Sequence, residues 1–440
     1  MLASRVKEKK FAWGGRILAA AYPAYGSVSF VGSIAGGGRL AGSNTLAGVH
    51  AEMLLEGTNR RSKKELQILL DGMGASLGFS ATGDRLAFAG RVRTVHAQKL
   101  FALVAEILSE PAFPEAELAV LKAREEAHLS LAGQEPNVQA KIGLSRLIFA
   151  KRHPNRLESI EEARAALKKV SRKSLSALHA KMLSRRSLVL AVAGDMPPPR
   201  VFALAGSTFA SLPDKKVILP SFRRAVPGRA KRIVVPIKHK ASVTYSAGAA
   251  LGITDDHPDY APLLLGLQIL GSAGGFVGRL MSTVREKEGL TYGTYSYIPG
   301  SSISNTTDGY AEVWATFAPQ LFKQGRAAVL REVKKIVEEG ASEDEVRRHR
   351  ELLVARFKVR LSNSAAFARM AHDLAIEGRP VSYADQFLKK IMAVRAAQVH
   401  AALKKYLALK NLSESAAGPV EKEDLTSVEK DAAELEKAIK

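Results

Sequence analysis

Apolar and polar positions along this chain change period several times, and each change marks an element. Residues 27–34, Ser-Val-Ser-Phe-Val-Gly-Ser-Ile, alternate and predict a strand. A helix is predicted over 44–56, closed by Gly57. Ser62 and Glu65 form a capping-box signature that opens a helix reaching about 72. Strands follow near 75–81 and 85–92, helices near 94–109 and 114–132, and a helical stretch over roughly 139–183. Ser187-Leu188-Val189-Leu190-Ala191-Val192-Ala193 is an apolar strand ended by Gly194-Asp195. The order then recurs. A strand is predicted at 241–250, helices at 259–270 and 275–287, and strands near 291–298 and 308–317. Helices near 319–339 and 342–361 and a helical stretch over 364–408 complete the second set.

The recurrence extends to residues. Pro114-Glu115-Ala116-Glu117-Leu118 matches Ser342-Glu343-Asp344-Glu345-Val346 at an offset of 228. Leu167-Lys168-Lys169-Val170 matches Ile391-Met392-Ala393-Val394 at an offset of 224. Two windows at nearly one offset, in the same order, indicate a duplication. The fold class expected is α+β: two homologous halves, each a mostly antiparallel sheet with helices on one face. Pro197-Pro198-Pro199 and the basic, proline-bearing stretch after it have linker composition. The expected division is a first domain over 1–196, a linker over 197–228, a second domain over 229–420 and a tail over 421–440. From 421 the tail holds seven acidic and four basic residues, with Leu425, Val428, Leu435 and Ile439 spaced for a peripheral helix.

Composition narrows the chemistry. The chain has no cysteine, which removes disulfides, thiol nucleophiles and thiolate metal sites. The formal charge is +22. Its Lys and Arg are scattered, without interleaved aromatics, zinc-finger spacing or an RNP-like strand, and this argues against nucleic acid. A solvated basic surface, or a basic cavity that attracts acidic or extended polypeptides, is the expectation instead. No run approaches the length of a membrane span. The first residues lack the apolar core of a signal peptide, so a cytoplasmic location is expected, or a periplasmic one if a leader has been removed.

No two of the ten histidines lie three to five residues apart, so no local two-histidine metal clamp exists. No Gly-x-Ser-x-Gly elbow appears, and neither Gly36-Gly37-Gly38 nor Gly271-Ser272-Ala273-Gly274-Gly275 leads into a phosphate loop. Two segments stand out. The first is Gly48-Val49-His50-Ala51-Glu52-Met53-Leu54-Leu55-Glu56-Gly57-Thr58. The second is Arg285-Glu286-Lys287-Glu288-Gly289-Leu290-Thr291-Tyr292. Taken alone, Arg285 would be a helix-surface cation and Tyr292 a strand tyrosine packed in the core.

Together these segments resemble the M16 (pitrilysin, insulinase, mitochondrial processing peptidase) family of inverzincins. The resemblance spans about residues 15–410 and is most specific over 275–298. In that family the zinc helix reads His-x-x-Glu-His and runs on through Met-Leu-x-x-Gly-Thr. Aligned on Met53-Leu54 and Gly57-Thr58, Gly48 and Glu52 stand at the two histidine positions and Ala51 at the catalytic glutamate. Glu125 and Glu126 fall at the distal ligand, and Glu126 is taken as that position. His50, two residues from either histidine position, lies on roughly the opposite side of the helix and does not rescue the site.

The resemblance implies a chain without metal. It also implies that Arg285 and Tyr292 are catalytic residues, the tyrosine as a donor to a developing oxyanion and the arginine as a holder of substrate or of the tyrosine. The two halves would form half of a clamshell chamber, closed by a paralogous His-x-x-Glu-His subunit that carries the zinc and admits a peptide or unfolded polypeptide. Alone, such a chain would be inactive. The alternative is a non-enzymatic scaffold of the same fold.

Overall fold

The computed structural model describes residues 3–272, 277–300 and 309–425. The amphipathic tail from 426, the first two residues of the helix expected at 275 and residues 273–275 of the glycine-rich segment lie outside the described residues. Among those described, eleven strands form two sheets. They are β1 Val6–Lys10, β2 Arg16–Ala21, β3 Ser27–Ala35, β4 Ser76–Ala81, β5 Arg85–Arg93, β6 Val189–Gly194, β7 Arg232–Pro236, β8 Val243–Ala250, β9 Gly293–Tyr297, β10 Tyr310–Phe317 and β11 Ser413–Gly418. The first sheet has the order β1-β2-β6-β3-β5-β4 and the second β7-β11-β8-β10-β9.

The duplication is plain in the topology. Without β1, the two orders superimpose strand for strand. The same neighbours are parallel in each, β2 with β6 and β7 with β11, while the other pairs are antiparallel. The fold is α+β in two homologous halves. The sequence pattern did not pick out β1, β2, β7 and β11, which are short, and β1 is nearly all charged. The long helical stretches divide. Residues 139–183 become helices Pro136–Ile148, Ile160–Lys169 and Arg172–Met182. Residues 364–408 become Ser364–Ile376, Ser382–Ala393 and Ala396–Tyr406. In the first stretch the breaks are set by N-caps, Ser159 and Ser171 each capping with its side chain; Asn363 caps the start of the second stretch.

The stretch expected as linker needs a correction. Pro198–Phe209 is a helix, with Val201, Ala205 and Phe209 buried in the core of the first half. Proline suits the first helical position because its missing N–H is one the helix would not use. The irregular connection therefore begins after this helix and runs to β7.

Each sheet carries helices of its own half on one face. In the first half, Val28, Phe30 and Ile34 of β3 meet Leu100, Phe101, Val104 and Phe209. The opposite face receives one helix from the other half. Helix Ser364–Ile376 lies on β6, β3 and β2, and helix Pro136–Ile148 lies on β11, β8 and β7. These two helices stand at the same offset of 228 as the first matched windows, so the exchange is reciprocal. The serines of β3 that looked solvent-facing are buried beneath the incoming helix. Ser29 bonds Ser364 at 2.9 Å, and Ser33 bonds His372 at 2.7 Å. Small residues allow the close approach: Ala368, Ala371 and Ala375 against the first sheet, Ala140 and Gly143 against the second.

A buried charge cluster stiffens the second half. Glu414 of β11, fully buried, accepts from Tyr245 Oη (2.8 Å), Arg326 Nε (2.8 Å) and Arg232 Nε (2.8 Å). Such a group must keep every partner, because removing one strands a buried charge. No helix of the described residues is long and apolar enough to cross a membrane.

The exchange is testable at Gly143. A Cβ there would sit 2.2 Å from Ser415 Oγ and 3.0 Å from Ile233 Cγ2, whereas at Gly133 it would come no closer than 3.8 Å to Ile160. Gly143→Val should therefore destabilise the chain by about 1–3 kcal/mol. Gly133→Ala should leave the denaturation midpoint unchanged or raised. Urea unfolding of the two variants checks this.

Candidate functional site

The first site element is helix Asn44–Met53. Ser43 caps it, accepting from Leu46 N–H, and the Glu158 carboxylate accepts from Asn44 N–H (3.1 Å), Thr45 N–H (3.0 Å) and the Thr45 hydroxyl (2.6 Å). A carboxylate there complements the positive end of the helix. The apolar side of the helix buries Val49, Ala51 and Met53 in the first core.

His50 is buried with them, away from positions 48 and 52. Its Nε2 lies 3.1 Å from His179 Nδ1, and His179 Nε2 lies 2.8 Å from the Leu108 carbonyl. A carbonyl can only accept, so His179 carries its proton on Nε2 and receives from His50 at Nδ1. His50 Nδ1 has no partner. Burial, and then the neighbouring His179, push His50 down to about 3. Burial pushes His179 down to about 4, against the bond to Leu108. Both imidazoles are neutral and structural.

The face that would hold metal is occupied otherwise. Glu52 pairs with the Arg124 guanidinium, which reaches over from helix Glu115–Gly133 and also lies 3.6 Å from Glu125. Burial and then the Glu125 charge push the Glu52 carboxyl up, and Arg124 pulls it down. The carboxylate beside Glu52 is thus Glu125. Glu126, the position taken from the motif, turns instead to Arg164, whose Nε lies 2.7 Å away. Consecutive residues on a helix point about 100° apart, so only one of the two can face this way. A Cβ at Gly48 would meet nothing within 4 Å. Position 48 is therefore open, and a fixed cation stands near Glu52 and Glu125 where two histidines and a carboxylate would converge. Among the described residues no group of three or more His, Asp or Glu side chains could hold a metal ion. Arg124 was readable beside Glu125 in the sequence, but nothing local indicated which way it turns.

The second site element is the turn that joins Arg285 to Tyr292. Met281–Lys287 winds as a π-helix: Glu288 N–H reaches back to Thr283 O at 3.0 Å, and Leu290 N–H reaches Val284 O at 3.0 Å. Met281, Val284 and Leu290 anchor this turn in the second core. Gly289, at φ 65°, reverses the chain in a left-handed conformation that suits glycine. Arg279 ties down the start of the helix through Glu345 (2.9 Å to each carboxylate oxygen) and the Gly340 carbonyl (2.9 Å). Arg331 holds Glu288 at its end.

The reversal returns Tyr292 beside Arg285, whose guanidinium lies 5.1 Å from the centre of the tyrosine ring. Tyr292 is 82% exposed, just ahead of edge strand β9. It is not a core tyrosine. The π-helical geometry that sets this pairing could not be read from the sequence, where an ordinary helix running to 287 was expected.

Comparison with known proteins finds similarity to one family. A family model described as the peptidase M16 inactive domain matches residues 169–353. The chain is 21% identical over 365 residues to the non-peptidase homolog YmxG of Helicobacter pylori, covering 82% of each protein. Its fold superimposes with a TM-score of 0.85 on the crystal structure of a peptidase M16 inactive domain from Pseudomonas fluorescens, at 24% identity, covering 94% of this chain and 98% of that one. The same score relates it to a protease from Helicobacter pylori, at 14% identity over 94% of this chain and 99% of that one. The periplasmic protease PqqL from Escherichia coli matches at 0.78 and 13% identity, over 96% of this chain but 46% of PqqL.

Two outcomes are expected here. The double change Gly48→His with Glu52→His restores the spacing of a zinc pair, yet Arg124 still competes with the metal by charge and by its hold on Glu125. Adding Arg124→Ala should raise zinc affinity at least about tenfold. Equal affinities with and without Arg124, by metal titration, would remove it as the obstacle. The second outcome concerns pH. Both buried histidines have folded-state values below the unfolded value, so their stabilisation is complete above about pH 6.5 and is lost as pH falls toward 4 and 3. Thermal stability should fall between pH 6.5 and 5 by an amount on the order of a few kcal/mol. His179→Phe should flatten that part of the profile.

Proposed function

We propose that this M16-like chain, which carries no zinc site of its own, is the non-zinc subunit of a two-chain M16-type peptidase. The observation that carries the reading is the Arg285–Tyr292 pair, stacked on an anchored turn and open to solvent. A phenol O–H and a guanidinium are both donors, matched to negative charge that develops on a carbonyl oxygen as it is attacked. Among the described residues no cluster of His, Asp or Glu could hold a metal, so on this reading the metal comes from a second subunit. That partner would be a paralogue with an intact His-x-x-Glu-His helix, which holds zinc and the attacking water. Tyr292 would donate to the oxyanion, and Arg285 would orient the ring and hold the peptide. The two halves would form one wall of the chamber and the partner the other. The substrate is a peptide or unfolded segment able to enter it.

A scaffold role with no peptidase partner is the second reading, and the similarity to a non-peptidase homologue favours it. One experiment separates them. Co-expressed with the His-x-x-Glu-His paralogue of the same genome, the chain should form a one-to-one complex and raise its peptidase activity. Tyr292→Phe keeps the ring under Arg285 but removes one donor, so turnover should drop roughly 10²–10³-fold with zinc content and assembly unchanged. Arg285→Ala should impair both binding and turnover. Glu126→Gln should have little effect, since its carboxylate only pairs with Arg164. Intact activity in the first two variants with loss in the third would reverse the assignment. No gain of activity with any paralogue would leave the scaffold.

A further inference from the structure

We propose that a cavity in the first half, away from the Arg285–Tyr292 turn, binds a short acidic peptide segment with apolar side chains between its carboxylates. The cavity encloses about 900 Å³, within the range of about 300–1,000 Å³ usual for ligand pockets. Its walls are the turn before helix Asn44–Met53, the loop after helix Pro136–Ile148, and helix Ile160–Lys169. Its roof is part of the irregular connection between the halves, Pro220-Ser221-Phe222.

That roof is built in place. Arg39 donates from Nε and Nη2 to the Pro220 carbonyl, at 3.1 and 2.7 Å, and lies 4.8 Å from the centre of the Phe222 ring. His153 meets the same ring edge-on at 4.8 Å.

Charge in the cavity is unbalanced. Lys151, Arg152 and Lys169 line it and make no hydrogen bond or ion pair among the described residues. Arg152 holds its place with a left-handed backbone, φ 69°, which a residue with a side chain keeps only where its surroundings impose it. The lining has two carboxylates, and both are committed. Glu158 caps helix Asn44–Met53, and Glu162 is taken by Arg146, Arg156 and the Ser159 N–H. The cations stand at the exposed rim, and the lining also holds apolar Leu46, Ala166 and Val170 beside polar Ser43, Asn44 and Ser174.

This combination selects the ligand class. A compact phosphate would need a cradle of free N–H groups. Here Gly38, Arg39 and Gly42 donate to Thr82, Gly83 and Gly38, and the helix terminus is already capped by Glu158. A nucleobase would need an open aromatic face, and Phe222 is covered by Arg39 and His153. Cations on two walls of a cleft that also offers apolar surface suit carboxylates spaced along an extended chain with apolar side chains.

The test uses the full chain alone, so its result is independent of any peptidase partner. A fluorescein-labelled Glu-Leu-Glu-Glu-Leu-Glu peptide is titrated and followed by anisotropy. Saturable binding in the micromolar range, weakened by salt, is expected. The triple reversal Lys151→Glu, Arg152→Glu, Lys169→Glu should raise Kd at least about tenfold. An equal reversal on exposed positions elsewhere, Lys7→Glu, Lys10→Glu, Lys64→Glu, should leave Kd within about twofold. If the cavity triple does not fold, Lys169→Glu alone must still raise Kd about threefold. The proposal fails if the peptide does not bind, if the two triples weaken it equally, or if an equimolar oligothymidylate displaces it. Equal weakening would mean diffuse surface charge, and displacement would mean a general polyanion site.

Discussion

Everything else in this fold depends on covering the second face of each sheet. Strands β3, β6, β8 and β11 are buried almost throughout, so both of their faces must be removed from water. In each half, the helices of that half cover one face of the sheet. Each lends one helix to the other, and the two loans are symmetric because the halves descend from one pattern. The alanines and Gly143 on the lent helices let them lie close, so that dispersion contacts and short hydroxyl bonds replace the water that the polar strand face would have held. The halves therefore share buried faces and do not meet only through the connecting chain. Cutting the chain between them would expose an apolar helix on one piece and a sheet face on the other.

Each of the two site elements is anchored within its own half. The helix with Gly48, Ala51 and Glu52 is held by its buried face and by Glu158 at its start. The turn with Arg285 and Tyr292 is held by Met281, Val284 and Leu290 below and by Arg279 and Arg331 at its ends. A side chain on such a mount is held without needing to reorganise, which is the condition any preorganised donor must satisfy.

Beside helix Asn44–Met53 charge balance decides the local arrangement. Glu52 and Glu125 stand close in a half-buried setting, and burial and then Glu125 raise the Glu52 carboxyl. Arg124 supplies the opposing positive charge. Its charge is permanent and its donor fork suits a carboxylate. His50 belongs to the core, where it pairs with His179.

Local pattern was sufficient wherever a residue's role depends on its neighbours along the chain. The capping box at Ser62, the alternation of β3 and the duplication all follow from spacing and residue type, whereas positions 48, 52, 285 and 292 stood out only through the family resemblance. What the sequence could not decide was anything set by partners distant in the chain. The serine face of β3 looks solvated until a helix from 364 onward covers it, and the helix at 198 is hidden by prolines that merely start it. Likewise, which of Glu125 and Glu126 faces Glu52, and that Arg124 stands between, depends on the rotation of one helix against another. Side-chain direction is periodic along a helix, but its phase relative to the rest of the molecule is set only by tertiary packing.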